Sequence, residues 1–133
     1  MSKLESLFED FQKAVKRFSE ALEQEKNEFM RDSAIQRFEF TFDIGWKTLK
    51  AFLEEYHNAR CTSPKTCFRE AFGQGLIDYD ELWLKIADWR NQAVHTYNEK
   101  LADALYKKLP QALNRFQLLE KNIKELIKQE KKK

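Results

Sequence analysis

Within eight residues the chain gathers Arg90, Asn91, His95 and Tyr97. A guanidinium fork that matches two phosphate oxygens, an imidazole that titrates near neutrality and a phenolic hydroxyl suit chemistry on a phosphodiester. The reaction that fits is metal-independent RNA cleavage. His95 would take the proton from a ribose 2′-hydroxyl as general base, Arg90 would stabilise the charge developing on the phosphorane, and Asn91 would position the substrate. The leaving 5′-oxygen still needs an acid. His57 lies far along another helix, so the most economical donor is His95 of a second copy, because an isologous two-fold interface presents the same residues twice. A structural alternative pairs Arg90 with Asp88, Glu99 or a carboxylate of the second helix and leaves His95 packed at a bundle end. Spacing alone does not separate the two.

The elements that must position this group are helical. Leu82, Ile86, Trp89 and Ala93 recur every three or four residues, so the motif rides on an amphipathic helix capped by Asp78 or Asp80. Five positions on an ideal helix rotate His95 roughly 140° away from Arg90, so the two share a site only if the helix ends between them. Thr96, Tyr97 and Asn98 are weaker helix formers, and Glu99-Lys100 opens the next helix. Upstream, Leu4, Leu7, Phe8, Phe11, Val15, Phe18 and Leu22 mark a first helix, and a seam from Ser33 to Tyr56 marks a second. One edge of that second helix carries Glu39, Asp43, Lys47 and Lys50. Glu39 and Asp43 can receive an arginine from the motif helix and Lys47 can meet phosphate; the competing expectation is an ordinary Asp43–Lys47 pair one turn apart. Ser63 and Pro64 start a short helix that stops at Gly73 or Gly75. The last helix runs from about Lys100 to Lys128, with a kink or restart expected at Pro110.

Only three Gly and two Pro against eleven Phe, three Trp and four Tyr in 133 residues favour long helices around an aromatic core. The predicted fold is all-α: an antiparallel up-and-down four-helix bundle with one additional short helix, a single domain over residues 1–133 ending in a frayed basic tail at 128–133. Cys61 and Cys67 read as free thiols, since nothing completes a zinc tetrahedron, and no metal or other cofactor is expected. A net charge of +2 is too small to announce a nucleic-acid binder, so any RNA contact must come from a local patch. No run of apolar residues spans a membrane and no secretory signal opens the chain, which reads as cytoplasmic.

Arg90-Asn91-Gln92-Ala93-Val94-His95 resembles the Arg-x4-His signature of the HEPN superfamily. Further segments are similar to one branch, the nucleotidyltransferase substrate-binding proteins: Arg37-Phe38-Glu39-Phe40-Thr41-Phe42 with Trp46-Lys47, Ser63-Pro64-Lys65, Phe68-Arg69-Glu70-Ala71-Phe72, Gly75-Leu76-Ile77 and His95-Thr96-Tyr97. The resemblance covers about residues 5 to 125. It implies a dimerising helical bundle and a minimal nucleotidyltransferase as partner. In related toxin–antitoxin pairs the helical protein is a ribonuclease toxin, and its nucleotidyltransferase antitoxin silences it by transferring AMP to the tyrosine of a His-x-Tyr element, here Tyr97. The resemblance equally implies an alternative, a non-catalytic substrate- or nucleotide-binding subunit of a two-component nucleotidyltransferase. A third reading is a helical interaction scaffold.

Overall fold

The computed structural model describes residues 1–133. Helix α1 (Lys3–Glu23) begins where the Ser2 hydroxyl accepts the Glu5 amide, and its seam buries Leu4, Phe11, Val15 and Phe18 along one stripe. Helix α2 (Glu28–His57) starts earlier than the expected Ser33. Asn27, in the gap between the two apolar seams, caps it by accepting the Met30 amide at 2.9 Å, so the connection is a tight corner. Asn58 ends α2 in the left-handed region at φ 47°, a conformation its short polar side chain tolerates.

Helix α3 (Pro64–Gly73) has Ser63 at its N-cap and Pro64 in the first turn, as the sequence predicts, and the structure adds a reciprocal capping box between Ser63 and Thr66. Cys61 and Cys67, expected to be free thiols, are joined in a disulfide. The connection after α2 folds back on the first turns of α3 and sets their Cα atoms 5.1 Å apart, within bridging distance. Helix α4 (Leu82–Gln92) follows the Asp80 carboxylate, one oxygen of which accepts the Leu82 amide at 3.0 Å while the other accepts Nε of Arg115 at 2.6 Å. The N-cap is Glu81, which makes no side-chain cap bond, so neither Asp78 nor Asp80 caps the helix as expected. Asp80 instead ties its start to α5 (Glu99–Lys131).

Helix α5 runs unbroken through Pro110, so the expected restart does not occur. Pro110 is exposed, and its missing N–H leaves only the Tyr106 carbonyl without an intrahelical donor. Leu105 and Leu109 before it and Ala112 and Phe116 after it are all buried, so the same apolar seam continues across it.

Helices α1, α2, α4 and α5 form the up-and-down bundle, with α3 as the additional short helix and α4 the shortest of the four at 11 residues. Phe11, Phe18, Phe38 and Phe116 meet at the centre with ring centroids 5.9 to 6.4 Å apart. Each fully buried ring contributes roughly 1.5–3 kcal/mol of apolar transfer. Gly45 lets α1 press against α2 there, because a Cβ would lie 2.9 Å from the Phe11 ring. Phe68 of α3 stacks on Trp83 of α4 at 4.4 Å, which seats the motif helix on the core. No helix is long and apolar enough to cross a membrane.

Candidate active site at the end of the motif helix

Helix α4 ends at Gln92 and tightens into a 3₁₀ turn, Ala93–His95. Buried Ala93 anchors that turn, its carbonyl accepting the Thr96 hydroxyl at 2.7 Å, and the Asn98 amide donates to the His95 carbonyl at 3.2 Å. The Asn98 side chain then accepts the Leu101 amide and starts α5. The regular 100° step is broken between Arg90 and His95, which is the condition their spacing imposes for a shared site. His95 and Tyr97 emerge exposed on the turn, their rings edge to face with centroids 6.2 Å apart, and Tyr97 keeps 83% of its surface.

Arg90, one turn earlier, is held fast. Its Nε and Nη2 donate to the two carboxylate oxygens of Asp43, each at 3.0 Å, and Nη1 lies 3.3 Å from Glu39. A guanidinium has five N–H donors. With two of its N–H groups bonded to Asp43 and Nη1 facing Glu39, at least two remain for a ligand. The Asp43 hydrogen bonds raise the guanidinium pKa further, against the opposing effect of burial. Burial also pushes the Glu39 carboxyl above its ordinary range; Arg90 opposes that shift and the Asp43 charge adds to it.

Of the partners expected for Arg90, the structure selects the α2 carboxylates. Asp88 instead pairs with Lys65 at 2.6 Å, and Glu99 with Arg31 at 2.7 Å. The ordinary Asp43–Lys47 pair does not form, since both Asp43 oxygens face Arg90. Lys47 and Asn91 are exposed beside the cluster and outside it, and the Lys50 ammonium lies 6.0 Å from the Trp46 ring. Glu39 connects the two halves of the site, because it touches Arg90 and also lines a surface groove shared with Thr96 and Tyr97.

Arg31 escaped the sequence reading. It is 3% exposed, its Nη1 lies 2.7 Å from Glu99 and 3.1 Å from Asp103, and its Nε donates to Asp32. These bonds raise its pKa, the Glu99 contact most of all. Because Glu99 opens α5, Arg31 fixes the far side of the turn that carries His95 and Tyr97. An arginine at the start of one helix and two acids at the start of another carry no local pattern, as 72 positions separate Arg31 from Asp103.

Residues 6–125 match the family described as nucleotidyltransferase substrate binding protein like. A Haemophilus influenzae (strain Rd) protein named probable ribonuclease HepT is 34% identical over 77 residues, which cover 55% of this chain and 53% of that protein, so the match spans about half the length of the relative. A crystal structure from Thermus thermophilus superposes with a TM-score of 0.77 at 38% identity, covering 82% of this chain and 94% of that one. A Haemophilus influenzae structure, described as revealing the fold of a substrate binding domain of a nucleotidyltransferase, superposes with a TM-score of 0.66 at 25% identity over 91% of this chain and 96% of its own. The chain belongs to the nucleotidyltransferase substrate-binding-protein-like family, the branch of the HEPN superfamily that its Arg90-to-His95 segment resembles.

Proposed function

We propose that the chain is a HEPN-type ribonuclease, the cytoplasmic toxin of a pair whose antitoxin is a minimal nucleotidyltransferase, and that it acts as a homodimer. The observation that carries this reading is the contrast within the motif. Arg90 is clamped by Asp43 with two N–H groups to spare, and His95 stands exposed on the turn that follows. A named probable ribonuclease among its relatives supports it.

In this mechanism neutral His95 removes the proton from a ribose 2′-hydroxyl, and the 2′-oxygen attacks the adjacent phosphorus. The bond to the 5′-oxygen breaks, leaving a 2′,3′-cyclic phosphate on one product. The departing 5′-oxygen collects a proton from His95 of the second copy. The two spare N–H groups of Arg90 stabilise the charge on the equatorial oxygens, while Asp43 holds the guanidinium in place as a positioning residue. Asn91 and Lys47, exposed beside the cluster, position the flanking phosphate, and Glu39 completes the wall of the site.

Silencing follows from Tyr97. Its phenolic oxygen attacks the α-phosphorus of ATP in the antitoxin and pyrophosphate leaves. The 83% exposure of the ring suits an acceptor that another enzyme must reach. The attached AMP places bulk and negative charge beside His95 and repels an incoming phosphodiester.

One observation favours a second reading. The charge of Arg90 is offset by both Asp43 and Glu39, which weakens the field available to an RNA backbone. A non-catalytic subunit would use the same residues to line a nucleotide pocket closed by its nucleotidyltransferase, in keeping with the substrate-binding relative. Expression of the chain alone in a bacterial host, wild type against His95→Ala, separates them. Growth arrest and RNA cleavage by the wild type only are expected. A soluble, dimeric wild type that leaves RNA intact would transfer the assignment to the binding subunit.

A further inference from the structure

One face of α2 meets the motif turn across an open groove of about 460 Å³. Asp32, Ser33, Gln36, Glu39 and Phe40 line it, residues that fall on one stripe of the helix, and Tyr97 closes it from the other side. Two features of the lining define what it can hold. Phe40 and Tyr97, respectively 50% and 83% exposed, offer aromatic surface at the groove, which a flat heteroaromatic ring can cover. Apart from Ile35, the remaining groups are acceptors or amphoteric, two of them carboxylates, and no lysine or arginine is among them. A phosphate is repelled by such a lining. A planar ring edged with N–H donors is matched by it.

Both carboxylates keep acceptor capacity. Arg31 contacts Oδ1 of Asp32, leaving Oδ2, and the contact between Arg90 and Glu39 is to Oε2. Cationic charge lies just outside the groove, where the Arg37 guanidinium sits 5.9 Å from the centroid of the Phe40 ring. A nucleotide entering base first would leave its phosphate on that outer side.

We propose that this groove is a base-reading subsite for one unpaired purine carrying an exocyclic amino group, with guanine preferred to adenine. Guanine presents N1–H and N2–H side by side, a spacing that one carboxylate can accept with both oxygens, whereas adenine offers only its N6 amino donors. Uracil lacks the amino group and has the smaller stacking surface. The subsite deepens the ribonuclease reading, since it sits beside His95 and would set which nucleotide flanks the cleaved bond.

The test is binding of the four ribonucleoside 5′-monophosphates to the dimeric wild-type protein by protein-observed NMR, repeated with Phe40→Ala and Phe40→Tyr. GMP is expected to bind about ten-fold or more tightly than UMP, with AMP between them. Phe40→Ala should lose about ten-fold of GMP affinity while Phe40→Tyr retains it. Shifted resonances should centre on Gln36, Phe40 and Tyr97. Equal affinity for GMP and UMP, absence of binding to a folded wild type, or GMP affinity indifferent to Phe40→Ala would each overturn the proposal. The assay needs no cleavage, so the two readings fail separately: nucleotide discrimination without ribonuclease activity defeats only the enzyme, and cleavage without discrimination defeats only the subsite.

Discussion

Arg31 and Arg90 are both arginines caught by carboxylates, and they do opposite things with the same chemistry. The Arg31 side chain is 4% exposed, its guanidinium is shared among Asp32, Glu99 and Asp103, and its partners tie the start of α2 to the start of α5. The Arg90 side chain is 23% exposed, its partners lie on α2 alone, and the next residues along the chain are the unpaired groups of the motif turn. One cluster uses its donors to join two helix ends. The other leaves donors free at a surface, which is the arrangement expected of a binding or catalytic arginine rather than a clamp. A buried ion pair is weak evidence for stability in general, so the distinction has to be measured.

Substitution at each arginine separates them, the largest effect first. Arg90→Ala should lower RNA cleavage by at least about 100-fold, the scale lost with one oxyanion-type donor. Its circular dichroism and urea midpoint should stay near those of the wild type. If unfolding rather than chemistry is what changes, Arg90 is a clamp like Arg31. Arg31→Met should do the reverse, lowering unfolding free energy by about 1–3 kcal/mol through loss of charged hydrogen bonds, with cleavage per folded molecule retained. Asp43→Asn lies between them. It leaves Arg90 charged but loosely held, and a drop in cleavage of about 10–100-fold with a small change in stability is the signature of a positioning residue. Cleavage equal to the wild type would remove Asp43 from the account.

The smallest effects are in pH. Asp103 is held below the usual carboxylate range by the Arg31 hydrogen bond first and Lys26 second. A depressed pKa contributes stability that is present above its unfolded value and lost as pH falls through the folded one, so Asp103→Asn should flatten the acid limb of the stability curve. Glu39 has the opposite sign. Its carboxyl is raised mainly by burial, so the folded state binds the proton more tightly and stability declines as pH rises from the ordinary glutamate range through the raised value. Glu39→Gln should remove that decline. A steeper decline in the variant would contradict the burial of this carboxylate beside Arg90.

Local patterns carried much of this site into view. The Ser63 and Pro64 start of α3, the end of the motif helix before His95, and the offer of Glu39 and Asp43 to an arginine of that helix all follow from short-range rules, and the structure shows each. What stayed hidden depends on distance in space. The Arg31 contacts join residues 72 apart, and the Cys61–Cys67 bridge depends on how the α2–α3 connection folds back. Two local alternatives were decided by tertiary packing. Pro110 sits inside α5 since buried residues on both sides hold the helix, and Asp43 prefers Arg90 to Lys47 since the guanidinium offers two parallel donors. The first turn of α2, capped by Asn27, lies ahead of the apolar seam that begins near Ser33 and so carries no periodic signal.

The most direct test is cleavage of total cellular RNA by the purified protein, wild type beside His95→Ala, with the product ends identified. The account predicts 2′,3′-cyclic phosphate termini from the wild type and a loss of about 100-fold or more in the variant, whose fold should be unchanged. Equal cleavage by the two proteins, or none by a folded wild type, would contradict the claim that the motif turn is a catalytic site.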